Sequence, residues 1–117
     1  MRTTLRIALI SIVLVSLAAC ERPRDRGADM AACRIELSNR PPSKEAHENE
    51  DVRVWYEESA TASFLVDCMR TKGWEFTTDK CRVRHATGDA ADRAQAAAGY
   101  AAQAMSDSCY KKAVRYE

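Results

Sequence analysis

Five cysteines, Cys20, Cys33, Cys68, Cys81 and Cys109, and two histidines, His47 and His85, hold most of this chain's capacity for covalent, metal or proton chemistry near neutral pH. Their spacing supports little of it. There is no Cys-x-x-Cys, the arrangement in which one thiolate is activated for disulfide exchange. Cys81 and His85 are separated by three residues, a spacing two zinc ligands can use, but the further ligands of a tetrahedral site are missing. A Cys–His nucleophile needs a free thiolate beside an imidazole, which an oxidising compartment opposes. His47 falls in a polar stretch and is expected to be solvated. The acids Glu57, Glu58, Asp67 and Asp79 form no evident pair in apolar surroundings, so a solvated face is expected rather than general acid/base work. Phosphate-cradling glycine loops and internal repeats are absent. These residues point to a protein that is not an enzyme and holds no metal and no cofactor.

Cys20 stands apart from the other four. Arg2 and Arg6, with no acid between them, precede the stretch 7–17, which is apolar except for Ser11 and Ser16; Glu21, Arg22, Arg24, Asp25 and Arg26 then end it abruptly. Charge followed by a short apolar run is the order of a secretory signal, and the run falls short of the roughly 20 residues of a spanning helix. Its last residues, Leu17, Ala18, Ala19 and Cys20, closely resemble the lipobox of bacterial lipoproteins. The resemblance implies a diacylglyceryl thioether on the Cys20 sulfur, cleavage between Ala19 and Cys20, and acylation of the new amino terminus. The thiolate is the nucleophile that takes the lipid. Several acyl chains then hold the protein at a membrane, where one chain binds marginally at ~0.8 kcal/mol per buried methylene. By the sorting rule of enterobacterial lipoproteins, in which Asp after the lipidated cysteine retains a protein in the inner membrane, Glu21 leans toward the outer membrane.

Removing residues 1–19 takes away Arg2 and Arg6 and no acid, so the precursor's formal charge of +1 becomes −1. With the signs interspersed, neither a nucleic-acid footprint nor a polybasic membrane patch remains. Arg22, Arg24 and Arg26 are offset by Glu21, Asp25 and Asp29, as in a solvated tether. The expected organisation is a signal peptide over 1–19, an anchor and tether over 20–28, and one small domain over 29–117 whose modest core needs covalent help.

That domain reads as mainly α, with three helices. Asp29 is a candidate N-cap for a short first helix in which Met30, Cys33 and Leu37 recur at helical spacing, and Pro41-Pro42 stop it. The polar segment 41–51 is a linker or loop. A second helix over 54–72 has an apolar stripe at Tyr56, Ala60, Phe64 and Cys68, widened by Leu65 and Met69. Arg70 and Lys72 suit its C-terminus, Gly73 its left-handed cap, and Trp74 a fold back toward Met69. A third, alanine-rich helix follows Asp89 and runs to Met105, with Ala94, Ala98, Ala101, Met105 and Cys109 in line. Between the second and third helices, the alternation over 74–78 and 81–85 allows a small hairpin turning at Asp79-Lys80, or an extended loop.

An even number of cysteines beyond Cys20 reads as two disulfides in an exported chain. Sequential pairing, Cys33 with Cys68 and Cys81 with Cys109, is favoured: the first two lie on apolar faces of helices that a long loop lets run antiparallel, and Cys81 can clip the end of the third helix. The two other pairings stay open.

The string Cys68-Met69-Arg70-Thr71-Lys72-Gly73-Trp74-Glu75-Phe76 is similar to a signature of small cysteine-containing envelope lipoproteins of proteobacteria. The resemblance supports compartment and fold. The functional expectation is a lipid-anchored periplasmic module, structural or protein-binding, with the membrane and an unknown envelope protein as partners and no nucleic acid. Trp55, Tyr56, Tyr100, Tyr110 and Tyr116 are candidate contacts. The alternative is an inhibitory or exclusion-type lipoprotein that blocks a phage, a conjugation system or an envelope enzyme.

Overall fold

The computed structural model describes residues 25–114, so the signal segment, the Ala19–Cys20 cleavage site, Cys20 itself and Tyr116 lie outside the described residues. Within them the chain is mainly helical: α1 (Arg26–Ser38), α2 (Glu50–Thr71), β1 (Trp74–Phe76), α3 (Ala90–Ala104), a single 3-10 turn (Asp107–Cys109) and β2 (Tyr110–Lys112).

Helix α1 starts earlier than expected. Its N-cap is Asp25, whose carboxylate accepts from the Gly27 amide at 2.9 Å, rather than Asp29. Either aspartate could satisfy a free amide of a first turn. Asp29 has a tertiary donor instead, the indole Nε1 of Trp74 at 2.8 Å, and as an acid in the first turn it still favours the helix dipole. Residues 26–28, read as tether, are therefore helical.

Helix α2 is capped by Asn49, which accepts from the Val52 amide at 3.0 Å, and so begins four residues before the expected start. Its end is as expected: Lys72 and Gly73 donate to the Met69 and Arg70 carbonyls, and Gly73 alone among the described residues takes positive φ, at 92°. Its buried face is the expected one toward the C-terminus, at Leu65, Cys68 and Met69, and departs from it toward the N-terminus. Ala62, Leu65, Val66, Cys68 and Met69 are buried, whereas Tyr56 and Ala60 are exposed. Positions four apart drift around the helix by about 40° per step, so the N-terminal part of the stripe, Tyr56 and Ala60, forms a second face turned away from the core.

Asp89 caps α3, accepting from the Asp92 amide at 3.1 Å. The helix buries Ala94, Ala97, Ala101 and Ala104, and its side chains let the backbones of α2 and α3 come close. Ala98 and Met105 are only partly buried, and Cys109 lies beyond the helix in the 3-10 turn, not on its stripe.

Contacts along the helices set their directions. Cys33 meets Cys68, Asp29 meets Trp74, and the Arg40 guanidinium lies over the Phe64 ring, so α1 is antiparallel to α2. Arg93 lies over Trp55 near the helix N-termini, while Phe76, just past α2, meets Tyr100 in the last turns of α3. Helices α2 and α3 therefore run parallel, and the connector 77–89 must travel back between them. It does so beside α3: the Arg82 carbonyl accepts from Gln103 Nε2 at 2.5 Å, and Arg84 pairs with Asp92 at 2.7 Å.

This return path is an extended loop, not the second strand of a local hairpin. Cys81 and Val83 face inward and Arg82 and Arg84 outward, an alternation that α3 satisfies without a sheet partner. The partner of β1 is β2, antiparallel, with Trp74 opposite Lys112, Glu75 opposite Lys111 and Phe76 opposite Tyr110.

Tyr110 locks this ribbon to the bundle. Its ring meets Phe76 edge-on at 5.5 Å, and its hydroxyl donates to the Ala104 carbonyl at 2.8 Å, one of the carbonyls an α-helix leaves unpaired at its end. The residue is 1% exposed. Burial pushes the phenol pKa well above its ordinary value, with a smaller contribution from Tyr100. The unfolded phenol ionises near pH ~10 while the folded one keeps its proton, so this contribution to stability is intact below that pH and is lost as pH rises beyond it. Tyr110→Phe should lose about 1 kcal/mol at neutral pH and show a shallower alkaline loss; urea unfolding on both sides of the phenol pKa would measure both effects.

Candidate functional site

All four described cysteines are consumed by the fold. Cys33–Cys68 joins α1 to α2 with Cα atoms 5.9 Å apart, and Cys81–Cys109 joins the connector to the turn after α3 with Cα atoms 5.6 Å apart. The bridges span 35 and 28 residues, the sequential pairing favoured above. Each such loop, taken separately, contributes on the order of 3–4 kcal/mol in the chain-entropy account. No thiolate is left among them for nucleophilic or redox catalysis. With Cys81 bridged and His85 exposed, that pair does not form a metal site, and among the described residues no group of three or more His, Cys, Asp or Glu could hold a metal ion.

The remaining candidates fall at different places. His47 is not free in solvent: its ring stacks on Tyr56 with centroids 5.0 Å apart and planes 20° from parallel. Trp55 is covered by Arg93, Tyr100 packs on Phe76, and Tyr110 is core. Of the described aromatics named as contacts, Tyr56 is the exposed one, at 52%. Asp67 pairs with Arg70 at 3.2 Å and Asp79 approaches Lys111 at 4.0 Å. Glu57 pairs with Arg53 at 2.7 Å, and Arg53 also binds Glu50. Arg53 holds the Glu50 carboxyl below its usual range, and the two carboxylates push the guanidinium pKa further up. Hydrogen bonds from Arg84 and then from the Gly88 amide likewise lower Asp92. These are exposed pairs, each of small energetic weight.

The second apolar face of α2 finds its role at the end of the bundle where α1 stops. Phe64 lies beneath Arg40, Tyr56 beneath His47, and Ala60 lines an open groove of about 420 Å³ whose other walls are Leu37, Pro41 and Pro42. Arg40 and Glu57 stand at this groove, with Thr61 beside Ala60. Sequence reasoning did not isolate it. The available signal was an apolar stripe on α2 in excess of what one core face needs, following a Pro-Pro that turns the chain beside it. Comparison with protein-family models, with curated proteins and with solved structures gives no match for this chain.

The two bridges differ in access. Cys33 is fully buried and Cys68 8% exposed, whereas Cys81 is partly open to solvent. Without reductant, mass mapping after denaturation and alkylation should find none of the four carrying the label. Under graded reduction Cys81 and Cys109 should take it before Cys33 and Cys68. Bulk alkylation of Cys33 in the unreduced protein, or the opposite order of reduction, would contradict the framework.

Proposed function

We propose that this chain is a lipid-anchored protein of the bacterial cell envelope, acting as a non-enzymatic interaction module facing the periplasm. The observation that carries the reading is the division of labour among five sulfurs. Four close two disulfides with each other, and the fifth, Cys20, follows Leu17-Ala18-Ala19 at the end of a signal-like apolar run. No described cysteine is available to pair with Cys20, which leaves its thiolate for acylation. Disulfides that staple a small alanine-rich core belong to an exported protein, so the framework and the lipobox favour the same side of the membrane by separate routes. Glu21 favours the outer membrane over the inner.

The geometry supports binding over catalysis. The described nucleophilic sulfurs are bridged, Glu57, Asp67 and Asp79 are exposed with a cation beside each, and the concave surface at Leu37, Pro42 and Ala60 is shallow and apolar-floored. Helix α1 begins six residues after Cys20, within about 20 Å of extended chain, and carries the far end of the bundle a further 20 Å away. The domain is thus held close to the bilayer by one end and presents the other.

Expression in a Gram-negative host with labelled palmitate tests the anchor. The wild-type protein should lose residues 1–19, take up label on Cys20 and partition into detergent; Cys20→Ser should accumulate as an unlabelled precursor. A Cys20→Ser protein trimmed to the same size and retained by membranes as before would overturn the proposal.

A further inference from the structure

The groove between the end of α1 and the middle of α2 has an apolar floor and a charged approach. Glu57 and Ala60 at the groove share a face of α2 with Glu50 and Arg53, at spacings of three and four residues, so the floor runs directly into an ionic row toward the helix N-terminus. Arg53 is held between Glu50 and Glu57, and Arg40 is folded onto Phe64. Over residues 44–58 six carboxylates, Glu45, Glu48, Glu50, Asp51, Glu57 and Glu58, stand against Lys44 and Arg53. The approach to the groove is therefore anionic, a formal −4 over residues 44–58 against +3 for the rest of the chain after residue 19.

Resting on the interaction-module reading above, we infer that this groove docks a cationic, extended segment of a partner protein. One apolar side chain of that segment enters between Pro42 and Ala60, and its Lys or Arg neighbours meet Glu57 and the carboxylates of the 45–51 stretch. The volume of about 420 Å³ lies toward the low end of ligand pockets at ~300–1,000 Å³. It accepts a side chain or two and no helix. Two consecutive prolines restrict the backbone of one wall, and the His47–Tyr56 stack holds the following loop beside α2. The same carboxylates oppose an anionic bilayer and oppose self-pairing of this face, since a two-fold contact would bring like charges together.

The test is selection of linear peptides from a random display library on the detergent-solubilised full chain, followed by affinity measurement of a selected peptide. The enriched peptides should carry two or more Lys or Arg beside an aromatic or branched apolar residue. Affinity should fall about tenfold in Ala60→Trp, which fills the groove from an exposed position, and several-fold in Glu57→Gln and in raised salt. Glu57→Gln keeps the side-chain shape, so its loss is not a consequence of misfolding. Enrichment without a basic bias, affinity indifferent to both substitutions, or no enrichment would overturn the inference. So would self-association, or binding of Cys20→Ser protein to anionic vesicles, that Ala60→Trp abolishes. A chain bearing unmodified Cys20 that still selects cationic peptides would sink the anchor and spare the groove; a lipidated chain that selects none would do the reverse.

Discussion

A helix that buries only alanines gains little from burial, and the architecture follows from that shortage. Helix α3 offers Ala94, Ala97, Ala101 and Ala104 to α2, whose contribution is Ala62, Leu65, Val66 and Met69. At ~25 cal/mol per Å² of apolar surface, four methyl groups contribute a fraction of what four leucines would. The compensation is close approach and covalent closure. Tyr110 brings one large ring to the end of α3, and each bridge removes entropy from the unfolded chain where the core has little area to add. Cys33–Cys68 fixes α1, a helix with only Met30 and Cys33 fully buried, and Cys81–Cys109 fixes the connector that makes parallel α2 and α3 possible.

What could be read in the residues was local. Asp89 with Asp92, Gly73 after Arg70 and Lys72, and Pro41-Pro42 after Arg40 each act within a turn of where they stand; the first starts its helix and the other two end theirs, as expected. The disulfide pairing was legible because two cysteines on apolar helix faces, joined by a long loop, have a simple way to meet. Three features depended on partners distant in sequence. Asp29 lost the cap to Asp25 because Trp74, 45 residues on, offers it an indole N–H. The buried face of α2 was read correctly at Leu65, Cys68 and Met69 but carried too far toward Tyr56 and Ala60, because periodicity shows that a face is apolar, not which neighbour covers it; Tyr56 meets His47 of the preceding loop instead. The partner of β1 was missed because three-residue strands 34 residues apart share no turn signal.

These misplaced elements have a common origin in chain direction. Antiparallel α1 and α2 would suffice for a hairpin of helices, but parallel α2 and α3 require a return segment. The residues that alternate over 81–85 supply it, with Arg84 and Gln103 forming its polar contacts to α3. Once the connector is committed to that path, β1 is free to pair with the chain leaving α3, and the Arg26 guanidinium donates to the Tyr110 carbonyl on the ribbon. The start of α1, the end of α2, the ribbon and the Cys81–Cys109 bridge therefore gather at one end of the bundle.

The opposite end is built differently, and the contrast bears on function. Among the described residues it has no bridge and no strand; its order comes from a Pro-Pro turn, an aromatic stack, a cation over a ring and exposed ion pairs. Such contacts are individually weak, so this end is the part of the domain whose geometry a binding partner can adjust at least cost to the fold. The end joined to residue 25 carries the covalent closure of the connector, and a proposed anchor at Cys20 would load that same end. Strength near the attachment and adaptability away from it is the arrangement expected of a displayed binding surface. It follows from where the two bridges sit rather than from any single residue of the groove.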